Sequence, residues 1–179
     1  MPDLKTENDE VILAIYNEDS PVDPRDNSDS PTTMLIWNKE YTLGDENEYS
    51  SLDAFFAAHE GAKLVMLGLE LNDYRYYCTL RETKLDGYED GVIYATMDTV
   101  QKEWGGDIEK AKEYMREEIR EYSWYLQGEV YGFKLLDRKT GDEIDSCWGF
   151  YGGNMRENGI ADALQEKYRY LIDELEPQG

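Results

Sequence analysis

Over residues 107–127, Ile108, Ala111, Met115, Ile119, Tyr122 and Leu126 recur at steps of three, four, four, three and four. Steps of that size place all six on one stripe of an α-helix, because a turn takes 3.6 residues. The spacing predicts a helix of about 20 residues that stops at Gly128. Its opposite face carries Glu109, Lys110, Glu113, Arg116, Glu117, Arg120 and Glu121. Charges of mixed sign three or four residues apart suit solvent and add a few tenths of a kcal/mol per pair. The apolar stripe, in contrast, must lie on something.

The flanking segments supply strands. Residues 11–16 form a β-branched and aromatic run, read as the first strand. Residues 33–37 and 40–43 flank Asn38-Lys39 and predict a hairpin. The nearly continuous apolar run 63–71 predicts a central strand buried on both sides, with Asn72-Asp73 turning into a partner over 74–80. A further strand is expected over 92–97, and a long hairpin over 129–137 and 143–151 around a turn containing Gly141. Short helices are expected over 52–58, capped by Ser50 or Ser51 and stopped at Gly61, and after Asp98, where Gln101 completes a capping box. Ile160, Leu164, Tyr168, Leu171 and Leu175 mark a last amphipathic helix that ends before Pro177. The expectation is an α+β fold with a mainly antiparallel sheet, two longer amphipathic helices and one or two short helices. At 179 residues it is read as a single domain, 1–179, with a long acidic surface loop at 17–31.

Charge narrows the partners. The chain carries 40 acidic residues against 18 basic ones, a net charge of −22. Affinity for phosphates comes from Lys and Arg that neutralise them, so direct nucleic-acid binding and anionic membranes are excluded. Disorder is excluded too, because 40% of residues are hydrophobic and 13% aromatic. The charge is uneven: residues 1–61 hold 15 acids and 3 bases, while residues 62–105 hold 8 and 5 and residues 106–179 hold 17 and 10. More than half of the net charge thus sits in the first third, in segments read as loops and turns. Self-repulsion of this size disfavours a compact state. Three explanations compete: solubility, halophile adaptation, and recognition of a strongly basic surface. Ten lysines against eight arginines do not fit the lysine-poor halophile pattern.

Reactive chemistry is sparse. No phosphate loop, zinc-ligand spacing or nucleophile elbow occurs. The run from Asp23 to Asp29 lacks the central glycine and terminal glutamate of a calcium loop. The lone His59 reads as the end of the short helix, where a cation meets the negative pole of the dipole. Cys78 and Cys147 match no disulfide framework and suit a reducing cytoplasm. No apolar run reaches the roughly 20 residues of a membrane span, and residues 1–10 lack the basic-then-apolar order of a secretion signal. The chain is therefore expected in the cytoplasm, without enzymatic activity, cofactor or metal. The run Asp145-Ser146-Cys147-Trp148-Gly149-Phe150-Tyr151-Gly152-Gly153 reads either as a core strand followed by a glycine turn, or as an aromatic partner-facing patch.

The segments Asp19-Ser20-Pro21, Pro24-Arg25-Asp26-Asn27, Thr33-Met34, Trp37 and Tyr41-Thr42-Leu43-Gly44-Asp45-Glu46 resemble the N-terminal signature of a widespread family of small acidic bacteriophage and mobile-element proteins. Gly91-Val92-Ile93-Tyr94, Tyr125-Leu126-Gln127-Gly128-Glu129-Val130-Tyr131-Gly132-Phe133 and Asp145 to Gly152 are similar to the same family, in the same order. Between Asn72 and Tyr88 the chain departs from the pattern, where the family has a longer Ser/Thr-rich stretch with proline. The family has no settled activity. The resemblance implies a phage or mobile-element setting and supplies no catalytic residues.

That setting and the concentrated negative field lead to one expectation: a stoichiometric inhibitor of a host nucleic-acid-binding defence protein, of anti-CRISPR or anti-restriction type. It would act by nucleic-acid mimicry, with Glu18, Asp19, Asp23, Asp26, Asp29, Asp45, Glu46 and Glu48 standing in for phosphates on the basic surface of a nuclease or CRISPR effector. One alternative is a phage accessory interaction module that uses Trp148, Phe150 and Tyr151. A further one is a small hydrolase with paired carboxylates lining a cleft.

Overall fold

In chain order the computed structural model contains β1 (Leu4–Glu7), β2 (Val11–Asn17), β3 (Thr33–Ile36), α1 (Leu52–Ala58), β4 (Leu64–Tyr74), β5 (Tyr77–Thr83), β6 (Gly91–Thr96), α2 (Met97–Trp104), α3 (Ile108–Leu126), β7 (Val130–Asp137), β8 (Glu143–Tyr151), α4 (Ile160–Ala163), a 3-10 helix (Glu166–Glu174) and β9 (Glu176–Pro177). It describes residues 1–26 and 28–179. Strand pairing is antiparallel throughout these residues, in two sheets, and the fold is α+β with a mainly antiparallel character. Contacts group the chain into two compact units, Asp23–Leu126 in one, Met1–Val22 with Gln127–Gly179 in the other.

The unit Asp23–Leu126 holds the sheet β3-β6-β4-β5. The run 63–71 is apolar on both faces because each face meets its own core. Val65, Leu67 and Leu69 point to the side where Ala111, Met115, Ile119 and Tyr122 of α3 pack. Leu64 and Met66 point to the other side, where Phe55 of α1 meets Leu35 and Val92. A period of two along β4 and of 3.6 along α3 thus interlock as the pattern requires. Ser51 caps α1 by accepting from the Ala54 N–H at 3.1 Å, and His59 closes it with a ring nitrogen 2.8 Å from the Phe55 carbonyl.

The other unit holds the sheet β8-β7-β2-β1-β9. One face buries Val11, Leu13, Ile15, Phe133 and Leu135 under Ile160, Leu164, Tyr168 and Leu171. Strand β8 is an edge. Its Trp148 lies flat over Gly132, where a Cβ would stand 2.1 Å from the indole ring. Only glycine fits under that ring.

Several expectations are corrected. The hairpin predicted over 33–43 does not form: β3 pairs with β6, and only a single bridge links Leu35 to Gly44. Asn38 accepts from the N–H groups of Glu40 and Tyr41 at 2.8 and 3.0 Å, a local bond that competes with a ladder. The β4–β5 turn falls at Arg75-Tyr76, because Asn72 and Asp73 pair with Thr79 and Cys78. Thr96, rather than Asp98, caps α2 through the Thr99 N–H. The last amphipathic helix breaks where Leu164 and Gln165 turn extended, leaving α4 and a 3-10 helix. Ile160, Leu164, Tyr168 and Leu171 are still buried: the first two lie on α4 and at its end, and the three-residue step from Tyr168 to Leu171 is one turn of a 3-10 helix. Finally, Leu4–Glu7, where no strand was expected, pairs with β2.

The β7–β8 hairpin is held by Asp137, whose carboxylate accepts from the N–H groups of Thr140 and Lys139, both at 2.8 Å. These bonds hold its carboxyl below the usual range. Such a group stabilises the folded chain above its unfolded-state pKa, and the contribution fades as pH falls through the folded-state value. Asp137→Asn is expected to lower the urea midpoint at about pH 7 and to match the parent at about pH 2. An equal gap at both pH values would refute this role.

Candidate functional site

The site is built on the acidic loop and α3. Asp23-Pro24-Arg25-Asp26 makes a tight turn: Asp26 N–H donates to the Asp23 carbonyl at 2.9 Å, and Arg25 N–H to the Asp23 side chain at 2.8 Å. Proline at the second position and a capping aspartate at the first suit such a turn. The turn sends the Arg25 side chain inward, where it is 4% exposed.

All five guanidinium N–H groups of Arg25 have acceptors. Nε and Nη2 form a fork with Asp45 at 2.9 and 2.6 Å. Nη1 reaches Glu118 of α3 at 2.5 Å and Thr32 Oγ1 at 3.4 Å, and Nη2 the Thr32 carbonyl at 2.9 Å. Thr32 Oγ1 donates to the second oxygen of Glu118 at 2.5 Å, and Met34 N–H donates to Asp45 at 2.8 Å. Burial opposes the charge on Arg25, but the bonds and charges of Asp45 and Glu118 outweigh it and hold the guanidinium pKa above its usual value. The segments 24–27 and 41–46 singled out in the sequence meet in this ion pair. Asn27 itself lies outside the described residues.

One turn along α3 from Glu118, the fully buried Tyr122 donates to Asp23 at 2.9 Å and accepts from the Gly44 N–H at 2.8 Å. Gly44 has φ +75, and a Cβ there would meet the Met34 carbonyl oxygen at 2.6 Å, so the approach needs glycine. Burial raises the Tyr122 phenol far above its normal range, and the Asp23 carboxylate adds to this. Burial likewise raises the Asp23 carboxyl against the lowering effect of its hydrogen bonds. Residues 23–26 and 28–32 therefore form a strap bolted to α3.

The eight candidate carboxylates separate into three groups. Asp23 and Asp45 are half-buried and bonded to Tyr122 and Arg25, so their oxygens already have partners inside the fold. Asp26, Asp29, Glu46 and Glu48 are exposed in the same unit. Glu18, half-buried, and Asp19, exposed, belong to the other unit, where Glu18 accepts from Gly149 N–H at 3.2 Å. The aromatic candidates do not form one exposed patch. Phe150 packs on the sheet core, Tyr151 donates to the Val22 carbonyl at 2.7 Å, and Trp148, packed over Gly132, is 43% exposed.

An open groove of about 490 Å³ runs between the strap and α3, lined by Pro24, Ser28, Asp29 and Ser30 on one side and Tyr114, Glu117, Glu118, Glu121 and Trp124 on the other. Sequence reading missed it, because Tyr114 and Trp124 stand outside the buried stripe and the charges of α3 were read as a balanced solvent face. It also missed an exposed tyrosine cluster, Tyr74, Tyr76 and Tyr77, at the β4–β5 turn. Asp23 and Glu121 are the acids raised by burial, but Asp23 does not line the groove and its oxygens are occupied, so the two do not make a paired-carboxylate cleft. Among the described residues no group of three or more His, Cys, Asp or Glu is placed to hold a metal ion, and no helix is long and apolar enough to cross a membrane. No protein-family model, curated protein or solved structure matches the chain.

Proposed function

We propose that the chain is a phage or mobile-element inhibitor of a host nucleic-acid-binding defence protein, of anti-CRISPR or anti-restriction type. It works in the host cytoplasm by occupying a basic nucleic-acid groove stoichiometrically. The observation that carries this reading is the buried Arg25 anchor beneath an acidic strap. A free acidic loop loses conformational entropy on meeting a partner, and a strap already fixed loses little. Asp26, Asp29, Glu46 and Glu48 are presented from anchored backbone, as phosphates are from a duplex. A net charge of −22 steers the encounter with a basic surface. The resemblance to acidic phage proteins supplies the setting.

Titration against a candidate nuclease tests the reading. Inhibition is expected to end at a fixed molar ratio, to be relieved by excess duplex DNA, and to weaken steeply between about 50 and 200 mM salt. Turnover of a substrate by the chain, or an inhibited complex that still binds DNA normally, would overturn it.

A further inference from the structure

The geometry points to the groove between the strap and α3 as a seat for an arginine side chain of the basic partner. The inference rests on the inhibitor reading only in taking that partner to be basic. The groove has flat, partly apolar walls in Pro24, Tyr114 and Trp124. Tyr114 is 39% exposed and Trp124 half-buried, so both keep accessible surface along the groove. Its rim is acidic on both sides, with Asp29 on the strap and Glu117 and Glu121 on the helix.

Glu118 is already used by Arg25 and Thr32, and Glu117 has Arg120 at 3.0 Å. Glu121 differs. Much of its side chain is exposed, yet its carboxyl is partly desolvated in the groove, and burial together with the neighbouring Glu118 raises its pKa, with only a partial offset from Arg25. The groove thus carries negative charge in excess of the cations that face it. A planar guanidinium answers both features, since it stacks on an indole face while donating to a carboxylate at its edge. An ammonium meets only the second. Such a pocket gives the otherwise diffuse attraction between an acidic chain and a basic surface one point of fixed register.

The test is a titration of the full chain with N-acetyl-arginine amide, with N-acetyl-lysine amide and N-acetyl-glutamine amide alongside, followed through the indole N–H resonances of its tryptophans. Trp124 is expected to shift saturably with the arginine probe, more weakly with lysine and not with glutamine. Trp37, whose indole N–H is bonded to the Tyr49 carbonyl, and Trp148 serve as references outside the groove. Glu117→Gln with Glu121→Gln is expected to weaken the arginine probe about tenfold, the value of a charge-assisted hydrogen bond. Asp29→Asn, on the other wall, provides a second variant with a smaller loss. Equal drift of the Trp37, Trp124 and Trp148 resonances, a glutamine probe that acts like arginine, or a double variant that titrates like the parent would each overturn the seat. No nuclease enters this experiment, so an empty groove would leave the inhibitor reading to be judged by DNA competition, and a failed competition would leave the groove standing.

Discussion

Arg25→Ala is expected to lower folding stability by about 3–5 kcal/mol, the usual loss when one member of a buried ion network is removed. The size follows from what stays behind. The side chains of Asp45 and Glu118 are only 22% and 16% exposed, so two carboxylates would face each other without the cation between them. The Thr32 carbonyl would lose a donor as well. Arg25→Lys keeps the charge, but a point ammonium cannot span Asp45, Glu118 and Thr32 together, so a large part of the loss should persist. Adding Asp45→Asn and Glu118→Gln to Arg25→Met removes the stranded charges and is expected to recover part of it. Urea unfolding of the four proteins measures this. A loss below about 1 kcal/mol for Arg25→Ala would mean that the strap is held by something else.

The anchor is also where the sequence was least legible. A single arginine among five acids in a loop with three prolines reads as a minor solvated charge. Nothing local tells that Asp45, 20 residues on, and Glu118, 93 residues on, close around it. What could be read was periodic. The stripe of α3 and the two-sided apolar run of β4 each repeat a pattern tied to one kind of element, and both formed as expected. Patterns shared by two structures misled. The step from Tyr168 to Leu171 fits an α-helix and a 3-10 helix alike, and residues 40–43 have strand composition but Asn38 holds the N–H groups of Glu40 and Tyr41. Tyrosine misled in another way. Tyr74 and Tyr77 counted as strand formers, and they do pair across the ladder, yet both are about half exposed at its last pair, beside the Arg75-Tyr76 turn. The charge count suffered similarly: part of the acidity of the first third is used inside the fold, Asp45 against the Arg25 cation and Asp23 as acceptor of the Tyr122 hydroxyl.

That division of the carboxylates yields the second large effect. Asp26→Asn, Asp29→Asn, Glu46→Gln and Glu48→Gln combined are expected to weaken binding to the target on the order of a hundredfold, as a few lost charge pairs require. Most of the change should fall on the association rate at low salt and shrink at high salt, because exposed charges act at a distance and are screened. Stability should stay within about 1 kcal/mol of the parent, since these side chains are exposed and their loss relieves self-repulsion. Asp45→Asn should behave in the opposite way: it halves the fork on Arg25, lowers stability, and weakens binding only as far as the strap loosens. Glu18→Gln with Asp19→Asn, in the other unit, form a separate arm, and their effect on binding shows whether the partner reaches beyond the strap. If the fourfold amide variant binds as tightly as the parent while Asp45→Asn fails, the strap matters to this protein as architecture, and phosphate mimicry by its exposed acids is wrong. If the order is reversed, the acids that the sequence placed together do two jobs, two of them building the surface that the other four present.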